Sequence, residues 1–104
     1  MNKKIKKLWV SALRSGKYKQ GKECLYGERK YCCLGVLSKL AVDEKVCSRK
    51  VAFGENEVLA EPVMKWANLR SPNPKLGGVY RAATLNDEKG KTFPEIADLI
   101  NKNL

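Results

Sequence analysis

The sequence predicts an α+β fold, with about four helices packed on a small antiparallel sheet. Three observations carry this expectation. Apolar residues recur at three- and four-residue spacing in several segments, polar alternation marks a strand between two of them, and a capping box precedes the last apolar run. The chain has 104 residues, 43% of them apolar, which suffices for one modest core. Residues 1–104 are read as a single domain without repeat, linker or low-complexity segment.

The first helix is expected over Lys3 to Ser15. Ile5, Leu8, Trp9, Ala12 and Leu13 form one apolar stripe, and Gly16 provides a stop. Trp9 lies within the stripe and is expected to be buried. Lys17 to Leu25 reads as an exposed strand bulged at Gly21. Tyr26-Gly27-Glu28-Arg29 forms a turn, so that Tyr31 and Cys32 pair back as a hairpin. Cys33, Val36, Leu37, Leu40 and Ala41 give a second helix over Cys32 to Val42. Residues 43–56 read as loop with a short strand around Lys50 to Phe53. Pro62 opens a third helix, whose inner face is Val63, Trp66, Ala67 and Leu69. Val79 to Leu85 reads as a strand and Asn86 to Gly90 as a turn. Thr92 and Glu95 then cap a last helix carrying Phe93, Ile96, Ala97, Leu99, Ile100 and Leu104.

Composition excludes several function classes. No apolar run approaches the ~20 residues of a membrane span. The stretch from Leu8 to Leu13 is shorter than a signal-peptide core of roughly 7–15 residues, so a cytoplasmic protein is expected. Cys24, Cys32, Cys33 and Cys47 have no zinc-like spacing and are read as reduced, mostly buried thiols. The chain has no histidine, which removes the commonest general base and metal ligand. No catalytic residue, metal or cofactor is expected. Gly16 to Glu23 matches a phosphate-binding loop only in part. Glu23 stands where that motif needs Ser or Thr, and the segment follows a helix instead of opening one.

The formal net charge is +10, and residues 1–30 hold ten Lys/Arg against two Asp/Glu. Lys3, Lys4, Lys6, Lys7, Lys17 and Lys22 form the expected anion- or nucleic-acid-binding set, with aromatic residues interleaved. Adjacent carboxylates at Asp43-Glu44 and Asp87-Glu88 read as turn and cap residues.

Further motifs carry a resemblance. Trp9-x-x-Ala12-Leu13-Arg14-Ser15-Gly16-x-Tyr18-x-Gln20, Tyr31-Cys32-Cys33-Leu34-Gly35-Val36-Leu37, Pro62-Val63-x-x-Trp66-Ala67-x-Leu69, Leu85-Asn86-Asp87 and Phe93-x-x-Ile96-Ala97-Asp98-x-Ile100 resemble a family of small proteins from tailed phages and prophages. The resemblance spans about residues 8–101. Relatives often carry Cys where Ser38 stands, and many have Glu in place of Lys17 and Lys19. The shared polar residues are then Arg14, Ser15, Tyr18, Gln20, Asn86 and Asp87. With Lys19 they form the expected ligand-binding set. Two arrangements stay open for them: a pocket, or a structural network in which Arg14 pairs with Asp87 and Asn86 caps a turn. The resemblance implies a non-enzymatic phage accessory protein in the host bacterial cytoplasm, acting by binding in host takeover or counter-defence. The partner is a host protein or an anionic nucleotide. The alternative is a general nucleic-acid-binding protein. If the chain self-associates, a twofold homodimer is the default.

Overall fold

A computed structural model describes residues 1–104. The chain forms six helices and one two-stranded antiparallel sheet. The α+β expectation agrees with this, but the helix count is six, not four. Helix α1 spans Lys3–Arg14, and Asn2 caps it by accepting the Ile5 N–H. Strands β1 (Tyr26–Gly27) and β2 (Lys30–Tyr31) follow, then α2 (Cys33–Asp43). Helices α3 (Arg49–Ala52), α4 (Glu61–Trp66), α5 (Ala82–Asp87) and α6 (Phe93–Asn103) complete the chain.

Three helices set the core. Helix α1 packs along α6 and against α2, burying Ile5, Trp9, Val10 and Leu13 on one side. Helix α6 supplies Phe93, Ile96, Ala97 and Ile100, with the Thr92–Glu95 capping box formed in both directions. Helix α2 is buried along most of its length, from Cys33 through Ser38 and again at Ala41. Its Ser38 hydroxyl donates to the Leu34 carbonyl, which satisfies the one polar side chain within that run.

The expected strands are largely replaced. The segment from Lys17 to Leu25 is irregular, and only Gln20 bridges Tyr31, in parallel sense. The hairpin is tighter than expected. Tyr26 pairs with Tyr31 and Gly27 with Lys30, which leaves Glu28-Arg29 as a two-residue loop. Both loop residues have positive φ, 51° and 65°, as a turn matched to the strand twist demands. Lys50 to Phe53 is not a strand: Ser48 accepts the Val51 N–H and starts α3 instead. Val79 to Leu85 is not a strand either. Ala82, Leu85 and Asn86 fall at helical spacing and turn inward together in α5. Asn86 and Asp87 therefore belong to a helix rather than a turn.

The hairpin is locked onto α2 at one point. The N–H of Cys32 donates to the Leu25 carbonyl. A Cβ at Gly35 would overlap that same carbonyl group. Gly35 is therefore required for close approach, although glycine is a poor helix former. Gly35→Ala is expected to destabilise by about 2–4 kcal/mol in urea unfolding, through overpacking against backbone. In an open helix the same change stabilises by roughly 1 kcal/mol. A neutral or stabilising result would refute the close-approach account.

Candidate functional site

The expected ligand-binding residues separate into three places. Gln20 and Asn86 meet inside the protein. Asn86 is 0% exposed, and all its hydrogen-bonding capacity is in use. Its Nδ2 donates to the Gly21 carbonyl at 2.8 Å and to Asp87 Oδ1 at 2.8 Å. Its Oδ1 accepts from Gln20 Nε2 at 2.9 Å and from the Cys33 N–H at 3.2 Å. Gln20 Nε2 also donates to the Lys91 carbonyl at 2.8 Å, and its Oε1 accepts the Phe93 N–H at 3.1 Å. These two amides thus tie together the segment after α1 and the ends of α2, α5 and α6. A ligand reaching for them would have to break bonds the fold already makes.

Arg14 and Ser15 sit apart from this network. Arg14 pairs with Asp98 of α6 at 2.7 Å, not with Asp87. That pair is largely exposed and contributes little on its own. The Ser15 hydroxyl donates to the Ala12 carbonyl and accepts the Lys17 N–H, so it closes the end of α1. Asp87 accepts from Asn86 at the edge of that network and also lines an acidic cleft with Glu23 and Glu88.

Tyr18 joins a third group. Its ring meets Tyr31 edge-on at 5.4 Å, Tyr31 lies 4.7 Å from Tyr26, and Phe53 lies 6.4 Å from both Tyr26 and Tyr31. All four rings are half-buried, so each keeps part of its surface in water. Burial, with a contribution from nearby Asp43, pushes the Tyr18 hydroxyl pKa above its ordinary value. The Arg49 guanidinium lies 4.9 Å from the centres of both Tyr26 and Phe53, and the Lys17 ammonium 6.0 Å from Tyr18. Lys17, Lys19, Lys30 and Arg49 are exposed, and none has a carboxylate within ion-pairing distance. Lys22, Lys30 and Glu28, together with Gln20, border a separate cleft of about 490 Å³. Sequence reasoning missed Tyr26, Tyr31, Phe53 and Arg49 as a group. The available signal was three aromatic residues clustered at 18, 26 and 31 among lysines.

On α1 the lysines lie off the apolar stripe. Lys3, Lys4 and Lys7 are exposed, while the Lys6 ammonium reaches the Asn101 carbonyl near the end of α6. Trp9 is fully buried, and its indole N–H donates to the Cys33 carbonyl at 2.9 Å. It offers no stacking surface.

The cysteines are all free thiols. Cys33 is completely buried, and its Sγ donates to the Ala82 carbonyl. Burial raises its pKa well above the ordinary thiol value and pushes Cys32 up to about 11. Both are therefore poor nucleophiles at neutral pH. Gly16 to Glu23 opens no helix, and the Gly21 N–H is taken by the Tyr31 carbonyl. No group of three or more acidic or Cys side chains is arranged to hold a metal ion. No helix is long and apolar enough to cross a membrane.

A family model described as "Domain of unknown function (DUF8296)" matches residues 1–104, and the chain belongs to that family. No curated protein and no solved structure matches the chain.

Asn86→Ala leaves the Cys33 N–H, the Gly21 carbonyl and one of the three Gln20 side-chain bonds unmet in the interior. A loss of about 3 kcal/mol in urea unfolding is expected; a loss below about 1 kcal/mol would show that the network is dispensable. Thiol labelling of the native protein at pH 8 is expected to modify Cys24 and Cys47 first. Cys32 and Cys33 should react only at the rate of unfolding, and rapid modification of all four would contradict their burial.

Proposed function

We propose that this protein works by binding and that its partner is a nucleic-acid strand. The observation that carries this reading is the half-buried aromatic cluster of Tyr18, Tyr26, Tyr31 and Phe53, with Lys17, Lys19 and Arg49 beside it and none of them ion-paired. Such a surface supplies the two things a flexible strand needs. Cations neutralise phosphates and release their counterions, and exposed ring surface accepts unstacked bases. The exposed lysines Lys3, Lys4 and Lys7 of α1, with Lys22, extend the positive field that draws a polyanion toward the protein. The binding role, in place of catalysis, is supported by the lack of histidine and by thiols held protonated in the core.

The resemblance to small tailed-phage proteins supports an accessory role in a host bacterial cytoplasm, in host takeover or counter-defence. A host protein as target is the second reading. Val79 and Tyr80 favour it, because they stand 77% and 43% exposed beside Gly77-Gly78. Retention of a host protein on the wild-type chain, lost in Val79→Ser/Tyr80→Ser, would support it.

Fluorescence anisotropy with a labelled oligodeoxythymidine tests the leading reading. Affinity is expected to fall steeply with salt, with a log–log slope near −3 for about four neutralised phosphates on a single strand. Lys17→Glu/Lys19→Glu/Arg49→Glu should flatten the slope and weaken binding at least tenfold. Tyr18→Leu, which keeps an apolar side chain, should cost about 1–2 kcal/mol of affinity by removing a stacking face. Equal binding by the wild type and the triple charge variant would overturn the proposal.

A further inference from the structure

A second basic site lies away from the aromatic cluster and shares no residue with it. A cleft of about 450 Å³ sits between the end of α4, the segment 70–75 and the start of α5. Arg70, Lys75 and Arg81 line it without an acidic side chain, and Met1 and Leu104, the terminal residues of the sequence, close its rim. None of the three cations has a carboxylate within ion-pairing distance. Arg81 is held in place by one edge only. Its Nη1 donates to the Asn73 carbonyl at 2.9 Å and lies 3.5 Å from the Ser71 hydroxyl, which leaves the rest of the guanidinium free. The chain brings the cations together by pairing Lys75 with Arg81 across a short antiparallel bridge, with Gly77 and Gly78 at positive φ in the loop between. Leu69 and Pro74, both buried, give the cleft an apolar wall.

We propose that this cleft binds a small phosphorylated organic molecule of nucleoside-monophosphate size. Three cations without a side-chain carboxylate partner share one concavity, and a phosphate dianion relieves their mutual repulsion. Two of them are arginines, whose planar forks match phosphate oxygens. The volume falls within the ~300–1,000 Å³ range of small-ligand sites and exceeds what a bare phosphate fills. The apolar wall beside the cations suits a ring or sugar face attached to the phosphate.

Titration of the isotope-labelled protein with AMP, followed by amide NMR shifts, tests the assignment. Saturable shifts are expected over residues 68–82. Arg70→Ala/Lys75→Ala, which alters two exposed side chains, should keep its melting temperature and bind AMP at least tenfold more weakly. Arg81→Lys keeps the charge but loses the fork, and should weaken binding severalfold. Adenosine without phosphate should not bind at the same concentration. Absence of AMP binding, or equal affinity in the double variant, would overturn the proposal. Inorganic phosphate binding as tightly as AMP would overturn the assignment to an organic ligand. Shifts confined to residues 17–31 would instead place AMP on the aromatic surface and refute this cleft. Lys17→Glu/Lys19→Glu/Arg49→Glu should leave AMP affinity unchanged, which separates this site from the nucleic-acid face.

Discussion

The peptide group of Cys33 is the point on which the rest of the structure depends. It stands at the first turn of α2, where a helix has N–H groups without partners in the helix itself. Here that turn is fully buried, so water cannot supply the partners. Asn86 takes the Cys33 N–H and Trp9 gives its indole N–H to the Cys33 carbonyl. The thiol of the same residue donates to Ala82. Helices α1, α2 and α5 are thus fixed against each other through one residue, and Gln20 extends the lock to α6 through the Lys91 carbonyl and Phe93 N–H. In a low-dielectric interior such a network is firm only when every member is satisfied. Here no buried side-chain nitrogen or oxygen is left without a partner.

That requirement explains why polar residues that look functional in the sequence serve the fold. Gln20 and Asn86 stood out in the sequence as polar residues set among apolar motifs, but their bond to each other was not legible. Nor were their other partners, because four of them are backbone groups of Gly21, Cys33, Lys91 and Phe93, which carry no sequence signature. The three long helices were readable from the stripe Ile5-Trp9-Leu13, the run through Leu37, and the Thr92 capping box. Of the three short helices, α4 was readable from Pro62, whereas α3 and α5 were not. Val79 to Leu85 contains β-branched and aromatic residues, and local propensity favoured a strand. What decided otherwise was the inward turn of Ala82, Leu85 and Asn86, which satisfies tertiary partners rather than local preference. The basic–aromatic surface was half legible. Tyr18 and its lysines are contiguous in sequence, but Phe53 and Arg49 arrive from α3 only after folding.

The charge of the protein is divided among surfaces that differ in kind. The aromatic cluster is open and spread over several rings, which suits an extended partner. The Arg70–Lys75–Arg81 cleft is concave and bounded by apolar side chains, which suits a compact one. A third recess, of Glu23, Asp87 and Glu88, is acidic and repels an anion. A net charge of +10 therefore does not act as one uniform field. Shape decides which anion each positive region can hold, and charge decides how fast it arrives.

The packing of α1 along α6 governs how the chain reaches its folded state. The apolar side of α1 closes mainly on a helix that begins about ninety residues later in sequence. Until α6 forms, Ile5 and Trp9 face solvent on a short helix whose other side is crowded with lysine charge. Such a helix is only marginally stable alone. Closing so long a loop carries an entropic cost that local turns do not. The hairpin and α2 are built from neighbouring residues, whereas the first helix gains its main partner only when the last one is in place.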